Sequence, residues 1–211
     1  MAATITAGHH AIIYASGTAA TLTSEPCTNL SIHKVYQITA AAKQVLSPTY
    51  AVTTNGTGAF TVNRLTGTLT FATDQTANEP ITLTGKYLPM GQLLYAKDFS
   101  LSMKIKAVET TPFGQNYQAL ARGLNDANGT IGTFYDPTEV ASLSVAPYWN
   151  TQMLADATIA IKFYVSANYS FLAWAEIDTE ELKAAIDGGS VEQTISWSGV
   201  ADADGHEVSR L

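Results

Sequence analysis

Charge is scarce in this 211-residue chain: Asp, Glu, Lys and Arg together make up only 14% of it. A surface so poor in charge needs another route to solubility, and cover by neighbouring subunits is one. Basic residues are scarcer than acidic ones, 11 against 18, for a formal net charge of −7. Gripping nucleic acid through its phosphates needs clustered Lys and Arg, so that class is set aside. An acidic wall that DNA slides past remains open, because it repels the phosphate backbone. Cysteine is down to one, Cys27. A lone thiol makes no intrachain disulfide, offers no Cys/His ligand spacing, and fits synthesis in a reducing compartment. No apolar run approaches the length of a membrane span, so no membrane partner is expected. Residues 1–6 carry neither a basic region nor an apolar signal core, so export by the usual route is not expected. Asn-x-Ser/Thr triplets at Asn29, Asn55, Asn128 and Asn168 then read as chance matches in an Asn/Thr/Ser-rich chain.

Catalytic signatures are missing too. There is no Gly-x-Ser-x-Gly elbow, no HExxH and no P-loop. His9 and His10 are adjacent, so on a strand they point to opposite faces and make a poor metal site. His33 and His206 have no partner at ligand spacing. Glu176, Asp178, Glu180 and Glu181 form the densest carboxylate run. An acid/base pair could be drawn from them, but a strand's polar face and a helix start account for them more simply. Asp202-Ala203-Asp204-Gly205-His206-Glu207 resembles the opening of a calcium loop, yet no glutamate stands at a twelfth position; a solvated C-terminal arm is the default. The expectation is a non-enzyme with no cofactor and no metal.

What the chain does have is threonine, alanine and alternation. Threonine is β-branched and suits a half-wet strand. Phe60 and Val62, then Leu65, Leu69 and Phe71, alternate with polar residues, with a turn at 63–67. Ile81, Leu83, Gly85 and Tyr87 form a second such run. Phe99, Leu101, Met103 and Ile105 alternate with Ser100, Ser102, Lys104 and Lys106, the cleanest half-buried strand. Residues 158–177 read as a hairpin turning at 166–168. On its return strand Tyr169, Phe171, Ala173, Ala175 and Ile177 share one face, and Leu172 and Trp174 take the other. Bulky residues on both faces require cover on both sides. Val191, Gln193, Ile195 and Trp197 make a final strand. Trp149, Trp174 and Trp197 are expected in the core or an interface.

Helix signals are few. Asp136 as N-cap, Pro137 at the first position and Glu139 in the first turn mark one helix, ended near Pro147. Asp178 with Glu181 approximates a capping box for a short second one, stopped at Gly188-Gly189. Residues 109–124 fit neither period and read as a long ordered loop, a kind that is usually functional or bound. The length suits one domain, or one domain with an inserted lobe.

Several of these stretches together resemble the tail tube (major tail) proteins of long-tailed, siphovirus-like bacteriophages. They are Tyr36-Gln37-Ile38-Thr39, residues 59–71, residues 81–89, residues 98–102 leading into Thr110-Thr111-Pro112-Phe113-Gly114, residues 123–137, and Thr194-Ile195-Ser196-Trp197-Ser198-Gly199. The resemblance implies a mainly β fold, a β-sandwich or half-barrel with a flanking α-helix and long loops, as a single domain over 1–211 with N- and C-terminal arms. It implies a homo-oligomer: six copies joined edge to edge in a ring, with rings stacked into a tube that conducts DNA without binding it specifically. The implied partners are a tail terminator, baseplate or tail-tip proteins, and a tape measure protein in the lumen. The implied location is the virion tail, assembled in the host cytoplasm. Under this reading Glu176 and Glu192 line the lumen, and Phe113, Tyr117, Leu120 and Arg122 make inter-ring contacts. The sequence departs from the commonest pattern in having only Arg122 as a basic residue in that loop, and in a tail, 202–211, that runs past the last strand. Two alternatives stand beside it. One is a terminator, neck or capsid-decoration protein, which would close a ring or trimer and stop. The other is a carbohydrate-binding β-sandwich, for which Tyr148 beside Trp149 is the only hint of an aromatic platform.

Overall fold

The computed structural model of the chain describes residues 12–93, 96–109, 120–134, 157–166, 169–183 and 191–211. Its strands, in chain order, are β1 (Ile12–Ser16), β2 (Ala20–Ser31), β3 (Val35–Ile38), β4 (Thr53–Thr54), β5 (Phe60–Asn63), β6 (Thr68–Phe71) and β7 (Thr82–Tyr87). There follow β8 (Met90–Gln92), β9 (Ala96–Glu109), β10 (Leu120–Phe134), β11 (Ile159–Ser166), β12 (Tyr169–Lys183), β13 (Glu192–Gly199) and β14 (Val208–Arg210). They form two sheets. The larger runs β8-β1-β11-β12-β13-β10-β9, with β14 beside β12, and the smaller runs β4-β7-β2-β3-β6-β5. The smaller sheet is thus built wholly from residues 20–87, inserted between the paired strands β1 and β8. The fold is mainly β, as the alternation of the sequence predicts.

The large sheet must curl. β8 and β9 stand at its opposite ends, yet Gln92 and Ala96 are neighbours in the chain. Four residues reach about 14 Å at most. Seven strands laid flat would put those edges about 29 Å apart. The sheet therefore closes toward its own inner face as a half-barrel, and Leu93 and Ala96 are buried at the seam. Ile13, Ile131, Ile161, Phe163, Ala173, Ala175 and Ile195 fill the interior. Phe163 lies at its centre, 5.0 Å from the Phe99 ring and stacked 5.5 Å from Trp197. Fully burying a side chain of this kind contributes ~1.5–3 kcal/mol. Gly129 sits where a Cβ would meet the Ser100 carbonyl oxygen and come 2.9 Å from Trp197 Cζ2. Only a bare backbone lets β9 and β10 close over that indole.

The two faces of the β11–β12 hairpin divide as the sequence predicts. Ala173, Ala175 and Ile177 look into the barrel, whereas Leu172 and Trp174 look outward. The cover on the outer side is the inserted sheet, whose Val45 and Leu65 pack with Leu88, Ala160, Leu172 and Trp174. That sheet has its own core around Leu22, Tyr36, Ile38, Leu69, Phe71 and Leu83. Asn63 turns the chain between β5 and β6, its side-chain oxygen accepting from the Leu65 and Thr66 amides. Gly67, at φ +63°, completes the turn in a backbone region that disfavours a Cβ.

Three expectations are corrected. The C-terminal tail is not a solvated arm. Residues 200–207 leave β13, cross to the inserted sheet, and return as β14 on the same edge of β12. Arg64, only 7% exposed, donates to Asp204 Oδ2 at 2.7 Å and to the carbonyls of Ser47 and Tyr50. Asp202 Oδ1 accepts the Asp204 and His206 amides, and its Oδ2 faces Trp174 Nε1. These carboxylates are spent on a clasp, not arranged for calcium. Next, Asp178, Glu181 and Leu182 belong to β12, not to a helix. A bulge at Asp178 shifts the register between Ile177 and Thr179, which breaks the period of two and imitates a helix start. Finally, Leu120 and Arg122 lie in strand, not loop, pairing with Glu109 and Ala107 across β9. A second shift between Arg122 and Asn125 hides that strand in the same way. The helix expected from Asp136, the histidine pair His9–His10, and Tyr148, Trp149, Phe113 and Tyr117 lie outside the described residues.

Candidate functional site

Strands β12, β13, β10 and β9 turn one face into the barrel and the other away from it. The outward face is set by register. Glu176 pairs with Ser198, Thr179 with Ser196, Glu181 with Thr194 and Lys183 with Glu192. Across β13, Ser198, Ser196 and Thr194 pair with Asn128, Thr130 and Gly132. Those in turn pair with Ser102, Ser100 and Asp98 on β9. The result is a continuous field of hydroxyls and carboxylates. Its inward counterparts Gln193, Ile195, Trp197, Ala127 and Ile131 are all buried.

Glu176 and Glu192, named from the sequence as lumen-lining, therefore share this face, Glu176 half-buried and Glu192 exposed. Glu192 accepts from Lys97 Nζ at 2.8 Å. That bond holds its carboxyl below the usual carboxylate range and raises the Lys97 ammonium. Both side chains are about half exposed, 46% and 49%, so the pair adds little to stability. Ser198 Oγ donates to Asp178 Oδ2 at 2.7 Å, and Lys183 reaches Glu181 at 3.5 Å. Ser100 and Thr130 join hydroxyls at 2.9 Å. Gly132 leaves the space that the Asp98 carboxylate fills. Carboxylates outnumber ammonium groups here, and they are spread over an open sheet rather than paired in a cleft. Such a face repels phosphate and offers water a dense set of hydrogen bonds.

Nothing local marks Lys97 as the partner of Glu192, because the two are 95 residues apart and meet only through the β9–β10–β13 ladder. Arg64 was missed for the same reason. Its one legible signal is position: a charged residue in the tight turn before Leu65. Among the described residues, no group of three or more His, Cys, Asp or Glu is placed to hold a metal. No helix there is long and apolar enough to cross a membrane.

No protein-family model and no curated protein matches the chain. Among solved structures it overlaps a chain of the tail of an empty gene transfer agent particle refined with C6 symmetry, at TM-score 0.44 and 7% identity, over 57% of this chain and 85% of that one. It also overlaps a chain of the virion of a native gene transfer agent particle, at TM-score 0.45 and 7% identity, over 58% and 88%. Similarity at this level settles neither family nor activity.

Proposed function

We propose that this chain is a structural, self-assembling subunit of a phage-like tail tube. The observation that carries the reading is the hydroxyl- and carboxylate-rich outward face of β9, β10, β12 and β13, which among the described residues stays exposed or half-exposed. A wall past which a polyanion must slide needs this chemistry: wet, weakly acidic and free of clustered cations. The long β9 supports the same reading, because it ends the sheet among the described residues and its 14-residue edge invites pairing with another chain. Copies joined through such edges around an axis close into a ring. In that ring Glu176 and Glu192 line the channel, and the β9–β10 end that carries Leu120 and Arg122 reaches toward the next ring. Six copies to a ring, a terminator, a tail tip, a tape measure protein in the lumen and a place in the virion complete the proposal, with no catalytic step assigned to the chain.

Sedimentation velocity at rising protein concentration tests it. Stepwise growth from monomer to a ring-sized species and then to larger stacks is expected. A species that closes at one size and never grows would move the assignment to a terminator or neck ring, and a strict monomer at all concentrations would remove it.

A further inference from the structure

A cleft of about 330 Å³ opens where the inserted sheet meets the outer face of the barrel. Its floor is one cross-strand row: Tyr14 pairs with Lys162, and Lys162 with Leu172. Tyr164 lies beside them, its ring 5.7 Å from that of Tyr14. Val45, Leu65 and Tyr87 wall it from the inserted sheet, and Met90 closes one side. The Lys162 ammonium stands 4.9 Å from the centroid of the Tyr164 ring. Among the described residues it has no carboxylate partner, and the hydroxyls of Tyr14, Tyr87 and Tyr164 make no hydrogen bond. All four side chains are half-buried. One cation, engaged only by the Tyr164 ring face, and three phenols thus meet at a pocket with apolar walls, the composition by which ligand sites are recognised.

We propose that this cleft docks an extended peptide segment of another protein chain that carries an acidic side chain beside an apolar one. The carboxylate would accept from Lys162 and the phenols, and the apolar neighbour would lie against Val45, Leu65 and Leu172. A single unpaired cation selects an anion, and the volume, at the low end for ligand pockets, fits a side chain or two. A peptide is favoured over a free acid because Met90 belongs to β8, among the described residues the end strand of its sheet, where an extended backbone can pair by strand addition. The proposal does not rest on the tail-tube reading.

The test is amide NMR of the labelled full-length chain, at a concentration where it sediments as a monomer. The probes are blocked Leu-Glu-Leu, Leu-Gln-Leu and Leu-Lys-Leu tripeptides and sodium phenylacetate. Leu-Glu-Leu should shift the cleft residues saturably, with Leu-Gln-Leu weaker by about tenfold, the loss of one charge-assisted contact, and Leu-Lys-Leu inactive. Lys162→Glu should reverse the order, taking the lysine peptide over the glutamate one. If that variant loses its folded spectrum, Tyr164→Phe replaces it and should weaken Leu-Glu-Leu more than Leu-Gln-Leu. No saturable shift with Leu-Glu-Leu, equal binding of all three peptides, or phenylacetate binding as tightly as the peptide would each overturn the proposal.

Discussion

Glu79 Oε1 collects three neighbours, with His33 Nδ1 at 2.9 Å, the Tyr36 hydroxyl at 2.8 Å and Asn29 Nδ2 at 3.2 Å. Its purpose is local. Ile32 and His33 both have positive φ, 41° and 52°, as the tight turn between β2 and β3 demands, and a β-branched residue there is strained. His33, tethered to Glu79, holds that turn. The hydrogen bonds from His33 and then Tyr36 keep the Glu79 carboxyl below its ordinary 4.5, and the bond to Glu79 raises the His33 imidazole above 6.5. The signs fix the pH response. Stability from the lowered Glu79 is present above about pH 4.5 and is lost as pH falls through its folded-state value. Stability from the raised His33 is present below about pH 6.5 and is lost as pH rises through its folded-state value. Glu79→Gln should therefore lower Tm most between those limits, with the gap to the parent narrowing on both sides in scans across pH. At Cys27, burial first and Glu25 second push the thiol up to about 11, so thiolate is scarce at neutral pH. Reaction with a disulfide reagent at pH 7 should be much slower than that of free cysteine, and should quicken on unfolding. Gly129→Ala, with Trp197 and the Ser100 carbonyl in the way, should cost about 1–3 kcal/mol in urea unfolding by overpacking.

At the scale of elements, the clasp between Arg64 and residues 202–207 fixes the inserted sheet against the barrel. The Glu207 carbonyl accepts the Trp174 amide, and its side chain accepts the Ala127 amide at 2.8 Å. Asp204→Asn leaves Arg64 buried with only carbonyl partners. The expected loss is about 1–3 kcal/mol, below that of a fully buried pair because Asp204 is partly exposed; denaturant titration of the variant measures it. Strands with unbroken alternation were legible from the sequence: residues 99–105, the β11–β12 faces and the 63–67 turn. What escaped was β2 and the stretches of β10 and β12 that adjoin a register shift. β2 is shifted between Leu22 and Glu25 and contains Pro26, β10 is shifted beside Gly123, and β12 is shifted at Asp178. A bulge moves the apolar phase by one residue, so period-two reading fails there. β14 escaped because three residues are too few to show a period. Of the candidate site, Glu176 and Glu192 could be put on polar strand faces from spacing alone. That both belong to one face, with Asp98 and Lys97 on the far strand, depended on pairings no local pattern encodes.

At the scale of the molecule, the inserted sheet covers one outer quadrant of the barrel and the clasp locks it there. Among the described residues, the face from Glu176 to Asp98 stays exposed or half-exposed. A sheet that gathers carboxylates in a protein with 14% charged residues suits the wet, polyanion-repelling wall proposed above. If it lines a channel, Glu176→Gln should assemble like the parent, since Glu176 lies on β12, three strands from the β9 edge, and sedimentation of both proteins side by side checks this. The most direct measurement is negative-stain electron microscopy of the purified protein at rising concentration. Stacked rings with a stain-filled central channel are the expected result. Discrete particles that show no channel and never polymerise would contradict the tube account.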